Sequence, residues 1–146
     1  MATADTWAAG LLNLTFLNTA FTGLGDAGGL LPSATAGSIY ISLHTADPTA
    51  AGNQTSSEAT FTNYARVAVA RSGSGWSLSS TTMSNVAAIT FPTCGVTSNT
   101  VTYFGIGTAS AGAGKLMYSG QLTTAKTIAN GDTASFAIGA LTVAQT

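Results

Sequence analysis

The chain has 146 residues, of which 45% are hydrophobic and only 6% are charged, with a formal net charge of −1. This length fits one domain, and the hydrophobic fraction argues against a chain that is disordered throughout. Four basic residues are too few to neutralise a phosphate backbone, which excludes nucleic acid as the expected partner. Ordinary soluble domains carry roughly a quarter charged residues. The surface must therefore consist mainly of Ser, Thr, Asn, Gly and Ala, a composition that suits dense assemblies.

The sequence shows no pattern for export or membrane insertion. No apolar run reaches the roughly 18 residues of a transmembrane helix, and the N-terminus lacks the basic and apolar regions of a signal peptide. We therefore expect synthesis in a cytoplasm without signal-peptide export. The single cysteine, Cys94, excludes an internal disulfide framework and predicts a buried or half-buried thiol.

Residues 5–22 predict an amphipathic helix, because apolar residues recur at spacings of three and four. The stripe and the two residues that broaden it are Trp7, Leu11, Leu14, Leu17 or Asn18, Phe21, Leu12 and Phe16. Thr3 or Asp5 is the expected cap of the first turn, and Gly23 and Gly25 are the expected stop. The helix either packs on its own sheet or docks onto a neighbouring subunit, since apolar residues on two sides need a second partner.

Residues 23–37 predict a flexible connector that Leu30 and Leu31 anchor. Residues 38–44 then alternate, with Ile39, Ile41 and Leu43 on one face and Tyr40, Ser42 and His44 on the other. Strict alternation indicates a half-buried strand. Residues 45–63 are polar and predict a surface loop that makes contacts.

Further strands are expected at 63–71, 76–78, 86–91, 101–107, 115–122, 124–128 and 133–143, and a split of the last at Gly139 gives nine. Asn130-Gly131 is a hairpin signal, because a tight primed turn needs positive φ at its centre. Many short strands indicate a sandwich, jelly roll or barrel. The predicted fold is mostly β, a jelly-roll-like antiparallel β-sandwich of about eight strands with an N-terminal amphipathic helix. The predicted division is a helix with its connector (1–37) and a β-sandwich (38–146), forming one domain overall.

Catalytic and metal-binding patterns are missing from the sequence. His44, the only histidine, has Asp47 three residues on, but no Gly-x-Ser-x-Gly elbow surrounds any serine. His44 is therefore expected to be a strand-end histidine that makes one hydrogen bond. Cys94 has no second histidine to activate it. The acidic residues are scattered, with no dense acidic loop of the kind that calcium prefers.

The run Gly112-Ala-Gly-Lys115 invites comparison with a phosphate-binding loop. The comparison fails, because Ala109 and Leu116 stand where that pattern needs Gly and Ser or Thr. A hairpin tip is the better interpretation. We therefore expect no catalytic, metal or cofactor site, and no enzyme.

Alternation also predicts which aromatic residues face outward. If Phe104 and Ile106 face the core, then Val101 and Tyr103 face out, and the same logic exposes Tyr40. Outward aromatic residues mark interfaces, where they are enriched. The candidate subunit-interface residues are Trp7, Leu11, Leu14, Phe16, Phe21, Tyr40 and Tyr103.

Several runs together resemble a family of small tailed-bacteriophage virion proteins. They are Leu43-His-Thr-Ala-Asp-Pro48, Tyr64-Ala-Arg66, Ile89-Thr-Phe-Pro92, Val101-Thr-Tyr-Phe-Gly-Ile106 and Gly131-Asp-Thr…Phe136…Gly139-Ala-Leu-Thr142. Members of that family are often labelled tail-fibre-like, and some resemble capsid cement (decoration) proteins. The resemblance implies a jelly-roll-like sandwich in a virion that binds other virion subunits, often as a homo-oligomer.

The first functional hypothesis is a capsid cement protein on the capsid exterior, made in the cytoplasm of the host bacterium. It would clamp neighbouring major capsid subunits non-covalently and associate with itself as a homodimer or other homo-oligomer, with no cofactor, membrane or small-molecule substrate. The alternatives are a tail-fibre or tail-associated protein, and a β-sandwich that binds host glycans through aromatic residues such as Trp76 or Tyr118. Copy number separates capsid from tail.

Overall fold

The computed structural model describes residues 2–25 and 28–145, which contain one helix and nine strands. Helix α1 spans Asp5–Leu17. The strands are β1 (Ser38–His44), β2 (Val67–Ala70), β3 (Trp76–Ser79), β4 (Thr82–Asn85), β5 (Ile89–Thr90), β6 (Asn99–Gly107), β7 (Leu116–Ile128), β8 (Ser135–Phe136) and β9 (Thr142–Ala144).

The strands form antiparallel sheets with the orders β2-β1-β6-β7, β3-β4-β9 and β5-β8. These sheets and the N-terminal helix confirm the predicted mostly β fold class and are consistent with a β-sandwich. The chain divides into two compact units. The helical unit comprises Met1–Ser38, Ala70–Ala88 and Phe136–Thr146, and the sheet unit comprises Ile39–Val69 and Ile89–Ser135. The predicted division at residues 37 and 38 stays a prediction.

In the helical unit, α1 packs against strands β3 and β4 through one face. That face is Ala8, Leu12 and Phe16, which are fully buried and lie four residues apart, so their side chains stack on the same side of the helix. The Phe16 ring meets the Trp76 ring edge-on, with centroids 4.7 Å apart. The stripe predicted through Trp7, Leu11 and Leu14 is therefore not the buried face.

Helix α1 is shorter than predicted and ends differently. Ala4 occupies the N-cap position without a side-chain hydrogen bond, so neither Thr3 nor Asp5 caps the helix. Asn18 ends it in the left-handed region, with φ 52° and ψ 36°. Asparagine tolerates this conformation better than most residues, and the helix stops there, before Gly23 and Gly25.

A single arginine binds the C-terminal end of α1. The Arg71 guanidinium donates from Nη2 to the Leu14 carbonyl and from Nε to the Thr15 carbonyl, both at 2.7 Å. It also donates from Nη1 to the Ala36 carbonyl at 3.0 Å. The last four carbonyls of a helix have no partner within it, and a cation is favourable at this end of the helix dipole. Arg71 therefore fixes both the helix and the connector.

The described part of the 23–37 connector is paired, so it is not the flexible segment that was predicted. Asn18 donates from Nδ2 to the Ser33 carbonyl and accepts at Oδ1 from the Ser33 N–H, each at 2.9 Å. Phe21 and Leu30 exchange two backbone hydrogen bonds of 2.9 Å. These contacts return the chain alongside the end of α1.

In the sheet unit, β1 is buried on both faces, which corrects the prediction of a half-buried strand. Ile39, Ile41 and Leu43 are in the apolar core, but Ser42 and His44 are fully buried as well. The cause is the 45–63 segment, which folds over the face that carries Ser42 and His44.

The same segment explains why Val101 is buried, where the sequence predicted it to face out. In β6, residues 99, 101, 103, 105 and 107 share one face. Residues of the 45–63 segment and of β1 contact this face at three points along the strand. Thr60 N–H donates to Asn99 Oδ1, the His44 and Ser42 side chains lie against Gly105, and Gln54 lies against Gly107. A face that is open in an isolated sheet is thus closed by a loop.

Strand β7 is one long strand, where two had been predicted at 115–122 and 124–128. Its register against β6 shifts between the pairs Tyr103↔Gln121 and Val101↔Lys126, so residues 122–125 stand opposite Thr102 alone. Such a bulge bends a strand without ending it.

The Asn130-Gly131 turn exists but does not make the predicted hairpin. Gly131 has φ 89°, and the Asp132 N–H donates to the Ala129 carbonyl at 2.9 Å. However, β7 pairs with β6, whereas β8 pairs with β5. The turn therefore passes the chain from one sheet to another.

Candidate functional site

A cluster of exposed and half-buried aromatic and large apolar side chains lies where α1 meets the connector. The Trp7 and Phe21 rings meet edge-on, with centroids 4.8 Å apart. Phe21 reaches the helix because residue 10 is glycine, and a Cβ there would lie 2.7 Å from the Phe21 ring. The backbone bridge between Phe21 and Leu30 places Leu30 and the adjacent Leu31 at the same edge of the helical unit. We call Trp7, Phe21, Leu30 and Leu31 the N-terminal apolar surface.

This surface is exposed in the free chain. Trp7 is 41% exposed, Leu30 39% and Leu31 70%, while Phe21 is half-buried. A single exposed leucine needs no explanation, but an aromatic pair with two leucines beside it is typical of an interaction surface. Tryptophan in particular carries much of the binding energy at interfaces.

The structure brings together two of the predicted interface residues, Trp7 and Phe21. Leu11 and Leu14 are half-buried on α1. Phe16 is fully buried against Trp76 and is therefore unavailable to a partner, which corrects its inclusion. Ala8, Leu12 and Phe16 are spaced four residues apart in the sequence. This spacing was the signal that Phe16 lies on the buried face of α1 and not on its exposed face.

Two further predicted residues, Tyr40 and Tyr103, belong to the sheet unit. Both are half-buried and lie on the sheet face that the 45–63 segment covers, because Tyr40 pairs with Gly107 and Tyr103 with His44. Contact between these residues and another subunit stays a prediction.

Ser42 and His44 form the contact that most resembles catalytic chemistry. His44 Nδ1 lies 2.8 Å from the Ser56 carbonyl, which accepts only, so Nδ1 carries the proton. His44 Nε2 then accepts from the Ser42 hydroxyl at 2.8 Å. A hydroxyl that donates to an imidazole is the arrangement of an activated serine nucleophile. His44 thus makes two hydrogen bonds, where the sequence predicted one.

The surroundings of the Ser42–His44 pair indicate a structural role. Ser42 and His44 are both completely buried. Asp47 is exposed, and its Oδ1 accepts from the Thr49 N–H at 2.9 Å, so it does not orient the imidazole. Burial lowers the pKa of His44, against the opposing effect of the Ser56 carbonyl. A neutral imidazole without a carboxylate partner holds β1 to the 45–63 segment.

A second polar group in the sheet unit is centred on Arg66 and Glu58. Arg66 binds Glu58 in bidentate fashion, with Nε–Oε1 2.6 Å and Nη2–Oε2 2.7 Å. Tyr64 donates its hydroxyl to Glu58 Oε1 at 2.9 Å and accepts from the Leu43 N–H at 3.1 Å. Burial, more than any neighbour, raises the pKa of Tyr64. Bidentate pairs of this kind fix geometry as well as charge.

Arg66 and Gln54 also hold the turn between β6 and β7. Arg66 donates to the carbonyls of Ala109 and Gly112 at 2.9 and 2.8 Å. The fully buried Gln54 side chain donates to the Ala109 carbonyl at 3.3 Å and accepts from the Ala109 N–H at 2.9 Å. Carbonyl oxygens of this turn thus point at an arginine, so the run before Lys115 does not present the N–H cradle of a phosphate-binding loop.

Neither a metal centre nor a membrane helix emerges from residues 2–25 and 28–145. No three His, Cys, Asp or Glu side chains gather there closely enough to hold a metal ion. Helix α1, the only helix in these ranges, is too short to cross a bilayer. Cys94 is buried as predicted, with its thiol 3.1 Å from the Thr97 carbonyl.

The family model described as Podophage GP4 fiber I protein gp80 matches residues 2–144. The match therefore includes residues of both compact units. A comparison with curated proteins gave no match.

Proposed function

Because this chain belongs to the family described as Podophage GP4 fiber I protein gp80, a family of phage virion structural proteins, we propose that it is a subunit of a phage tail fibre. In this role it holds to neighbouring virion subunits by non-covalent contact. The family match over residues 2–144 is the observation that carries the proposal. The family description names a fibre protein, which favours the tail over the capsid shell.

The N-terminal apolar surface supports a docking role. It combines an exposed tryptophan with half-exposed and exposed leucines, and the nearest charged residue of α1 is Asp5 in its first turn. Burying such a surface contributes roughly 25 cal/mol per Å² of apolar area removed from water. Attachment through this surface needs no buried charge and no catalytic group.

A purely structural role without enzymatic activity is part of the proposal. The Ser42–His44 pair supports it, since both side chains are closed off from solvent beneath the 45–63 segment. A nucleophile that no substrate reaches has no use in catalysis. The hydrogen bonds of this pair serve to hold the fold.

The copy number of the protein in purified virions tests the proposal. Quantitative mass spectrometry, with the major capsid protein as internal reference, is expected to give a handful of copies per particle. Immunogold labelling is expected to mark the tail. Hundreds of copies, with label over the whole shell, would overturn the fibre assignment in favour of a capsid cement protein on the major capsid protein.

The cement role remains the second candidate because of the surface composition. With 6% charged residues, the chain lacks the charge repulsion that keeps free proteins apart, and this suits a dense shell. Both roles place the protein in the virion, and copy number separates them.

Host-glycan binding is the weaker alternative. Trp76, one of the two aromatic residues suggested for it, is 1% exposed and packs on Phe16, so it offers no face to a sugar. Tyr118 is half-buried. A glycan array probed with the purified protein is expected to give no hits.

A further inference from the structure

The turn at residues 129–132 contains the only asparagine of the chain that a glycine follows. Asn130 and Gly131 are both exposed. Asparagine is a chemically labile residue, because the backbone nitrogen of the next residue can attack the carbon of its side-chain carboxamide. A glycine at that next position has no Cβ to hinder the approach. By sequence, Asn130 is therefore the most reactive asparagine of this chain.

The reaction converts the carboxamide of Asn130 into a carboxylate in two steps. The Gly131 backbone nitrogen loses its proton to hydroxide and bonds to Cγ of Asn130. The Cγ–Nδ2 bond breaks, and Nδ2 takes a proton from water and leaves as ammonia. Water then adds to either carbonyl carbon of the cyclic succinimide and breaks the ring C–N bond. The product is aspartate or isoaspartate, and isoaspartate lengthens the backbone by a methylene group.

The folded chain holds the attacking nitrogen in a hydrogen bond. The Gly131 N–H donates to the Cys94 carbonyl at 2.8 Å, and the Cys94 N–H donates to the Asp132 carbonyl at 2.8 Å. A deprotonated Gly131 nitrogen would face the lone pairs of the Cys94 carbonyl, so this hydrogen bond opposes the first step. Cys94 is 2% exposed, which anchors the acceptor in the core of the sheet unit.

Asp132 holds the same turn closed from its other end. Its Oδ2 accepts from the Ala129 N–H, and its own N–H donates to the Ala129 carbonyl, each at 2.9 Å. Backbone groups that are bound in this way become accessible only when the structure opens locally. The frequency with which the turn opens therefore sets the rate at which Asn130 reacts.

We propose that Asn130 is a deamidation site that the fold keeps closed through the hydrogen bond from Gly131 to Cys94, so that the modification marks copies whose turn has opened. The loss of ammonia makes the mark permanent. The added methylene of an isoaspartate prevents the 129–132 turn from closing again in the same geometry. This inference is independent of the proposed fibre role and needs no partner.

Peptide mapping by mass spectrometry measures the reaction at each asparagine. The purified chain is incubated at mildly alkaline pH, either folded in buffer or unfolded in urea. In urea, Asn130 is expected to react about tenfold faster or more than Asn63, an exposed asparagine that Tyr64 follows, because no Cβ hinders the attack at Asn130. In buffer, Asn130 is expected to react about tenfold more slowly or less than in urea, because only the opened fraction reacts.

Two aspartate variants test whether the turn controls the rate. Asp132→Ala removes the acceptor of the Ala129 N–H, and it is expected to speed the deamidation of folded Asn130 about threefold or more. The matched control is Asp47→Ala, because the exposed Asp47 also accepts a backbone N–H at 2.9 Å, from Thr49. This control is expected to leave the rate at Asn130 unchanged. In urea, both variants are expected to react like the wild type.

Hydrogen exchange followed by NMR measures the opening independently, and circular dichroism checks that each variant is folded. The Gly131 amide is expected to exchange faster in Asp132→Ala than in the wild type, in the same ratio as the deamidation rates, because one opening frees the same N–H for both reactions.

Four results would overturn the proposal. The first is a chain in urea that shows no preference for Asn130 over Asn63. The second is a folded wild type that deamidates at Asn130 as fast as the chain in urea. The third is an equal rate at Asn130 in the folded Asp132→Ala and Asp47→Ala variants. The fourth is a Gly131 amide whose exchange does not follow the deamidation rate.

Discussion

At the scale of single residues, Arg71 joins the end of α1 to the connector within the helical unit. Its guanidinium binds the carbonyls of Leu14, Thr15 and Ala36. A hydrogen bond to a charged group contributes about 1.5–3 kcal/mol, and the site also benefits from the helix dipole. We expect Arg71→Ala to lower the free energy of unfolding of this unit by about 2–3 kcal/mol, as measured by urea titration followed through tryptophan fluorescence.

Two further variants separate geometry from charge. Arg71→Lys keeps the cation but loses the planar fork that reaches several carbonyls at once, so most of the loss is expected to remain. Lys126→Ala removes one positive charge at an exposed position of β7 and is expected to change the free energy of unfolding by less than about 0.5 kcal/mol. Equal effects from Arg71→Ala and Lys126→Ala would contradict the capping role.

His44 predicts how stability depends on pH. Burial lowers its pKa in the folded protein below the ordinary value of 6.5, so the folded state prefers the neutral imidazole. The stability linked to His44 is therefore fully present above pH 6.5 and is lost as the pH falls from there towards the folded pKa, because the unfolded chain takes up the proton first. Thermal melting at a series of pH values is expected to show a decline that begins below pH 6.5.

The variant His44→Gln isolates this contribution. Glutamine does not titrate, so the variant is expected to be less stable at pH 7.5 but to lose less of its remaining stability on acidification. Glu58 and Arg66, which act on His44 through space, are present in both proteins, so the comparison removes only the titration of His44 itself. Parallel pH profiles for the two proteins would show that the decline comes from other groups.

At the scale of secondary-structure elements, Gln54 is the residue that ties the 45–63 segment to the sheet. Its side chain pairs with both backbone groups of Ala109, and Gly107 and Gly114 leave the room it occupies. Truncation leaves the Ala109 N–H without its partner, at a cost of about 1–3 kcal/mol, while Arg66 still donates to the Ala109 carbonyl. Gln54→Ala is expected to lower the melting temperature and to speed hydrogen exchange in residues 52–58.

Gln121→Ala is the matched control for this variant. Gln121 is exposed on β7, so the same change of side chain removes no buried partner there. Its melting temperature is expected to stay close to that of the wild type. If the two substitutions cost the same, Gln54 does not fix the segment.

These elements also show what the sequence could and could not predict. The strand at Ser38–His44, the strand around Val101–Gly107 and the split at Gly139 follow from local patterns of apolar residues and turns. The covering of β1 and Val101 does not, because it depends on Gln54 and Thr60 reaching residues far along the chain. The candidate site divides in the same way. Trp7 follows from helical periodicity, whereas its partnership with Phe21 needs the turn at Asn18 and the glycine at position 10.

Strand β4 shows a further limit of local patterns. The predicted strands at 76–78 and 86–91 leave residues 79–85 unassigned, yet Thr82–Asn85 is the central strand of the β3-β4-β9 sheet. Asn85 is fully buried there. Its Nδ2 donates to the Ala87 and Ala137 carbonyls, and its Oδ1 accepts from the Leu141 N–H. Hydrophobic periodicity is the main sequence signal for a strand. A polar residue at a core position interrupts that periodicity, so the strand is missed in the sequence.

At the scale of the whole molecule, the scarcity of charge predicts how the proposed attachment would respond to salt. Arg66 and Glu58 neutralise each other, and Arg71 is bound to carbonyl oxygens. The proposed docking would then depend on apolar contact, which salt does not screen. Attraction between surface charges, by contrast, weakens within a Debye length of about 8 Å at physiological ionic strength. Attachment to the virion is therefore expected to persist at high salt.

The N-terminal apolar surface can be tested in whole particles. We expect Trp7→Ser combined with Leu31→Ser to reduce incorporation into virions about tenfold or more. The reason is that truncating a tryptophan that is buried at an interface costs about 2 kcal/mol or more of binding free energy. The loss of the Trp7–Phe21 ring contact itself costs the free chain only about 0.5–1.5 kcal/mol, so the protein remains folded. Quantitative mass spectrometry of phage assembled with the variant as sole source of this protein measures the effect.

The control for this variant is Ile138→Ser, which removes an exposed apolar side chain elsewhere in the helical unit, 71% exposed. It changes solubility in the same direction but leaves Trp7 and Leu31 in place, so incorporation is expected to match the wild type. Normal incorporation of the Trp7, Leu31 variant would remove this surface from the attachment site. The half-exposed side of α1 at Leu11 and Leu14 would then be the next surface to substitute.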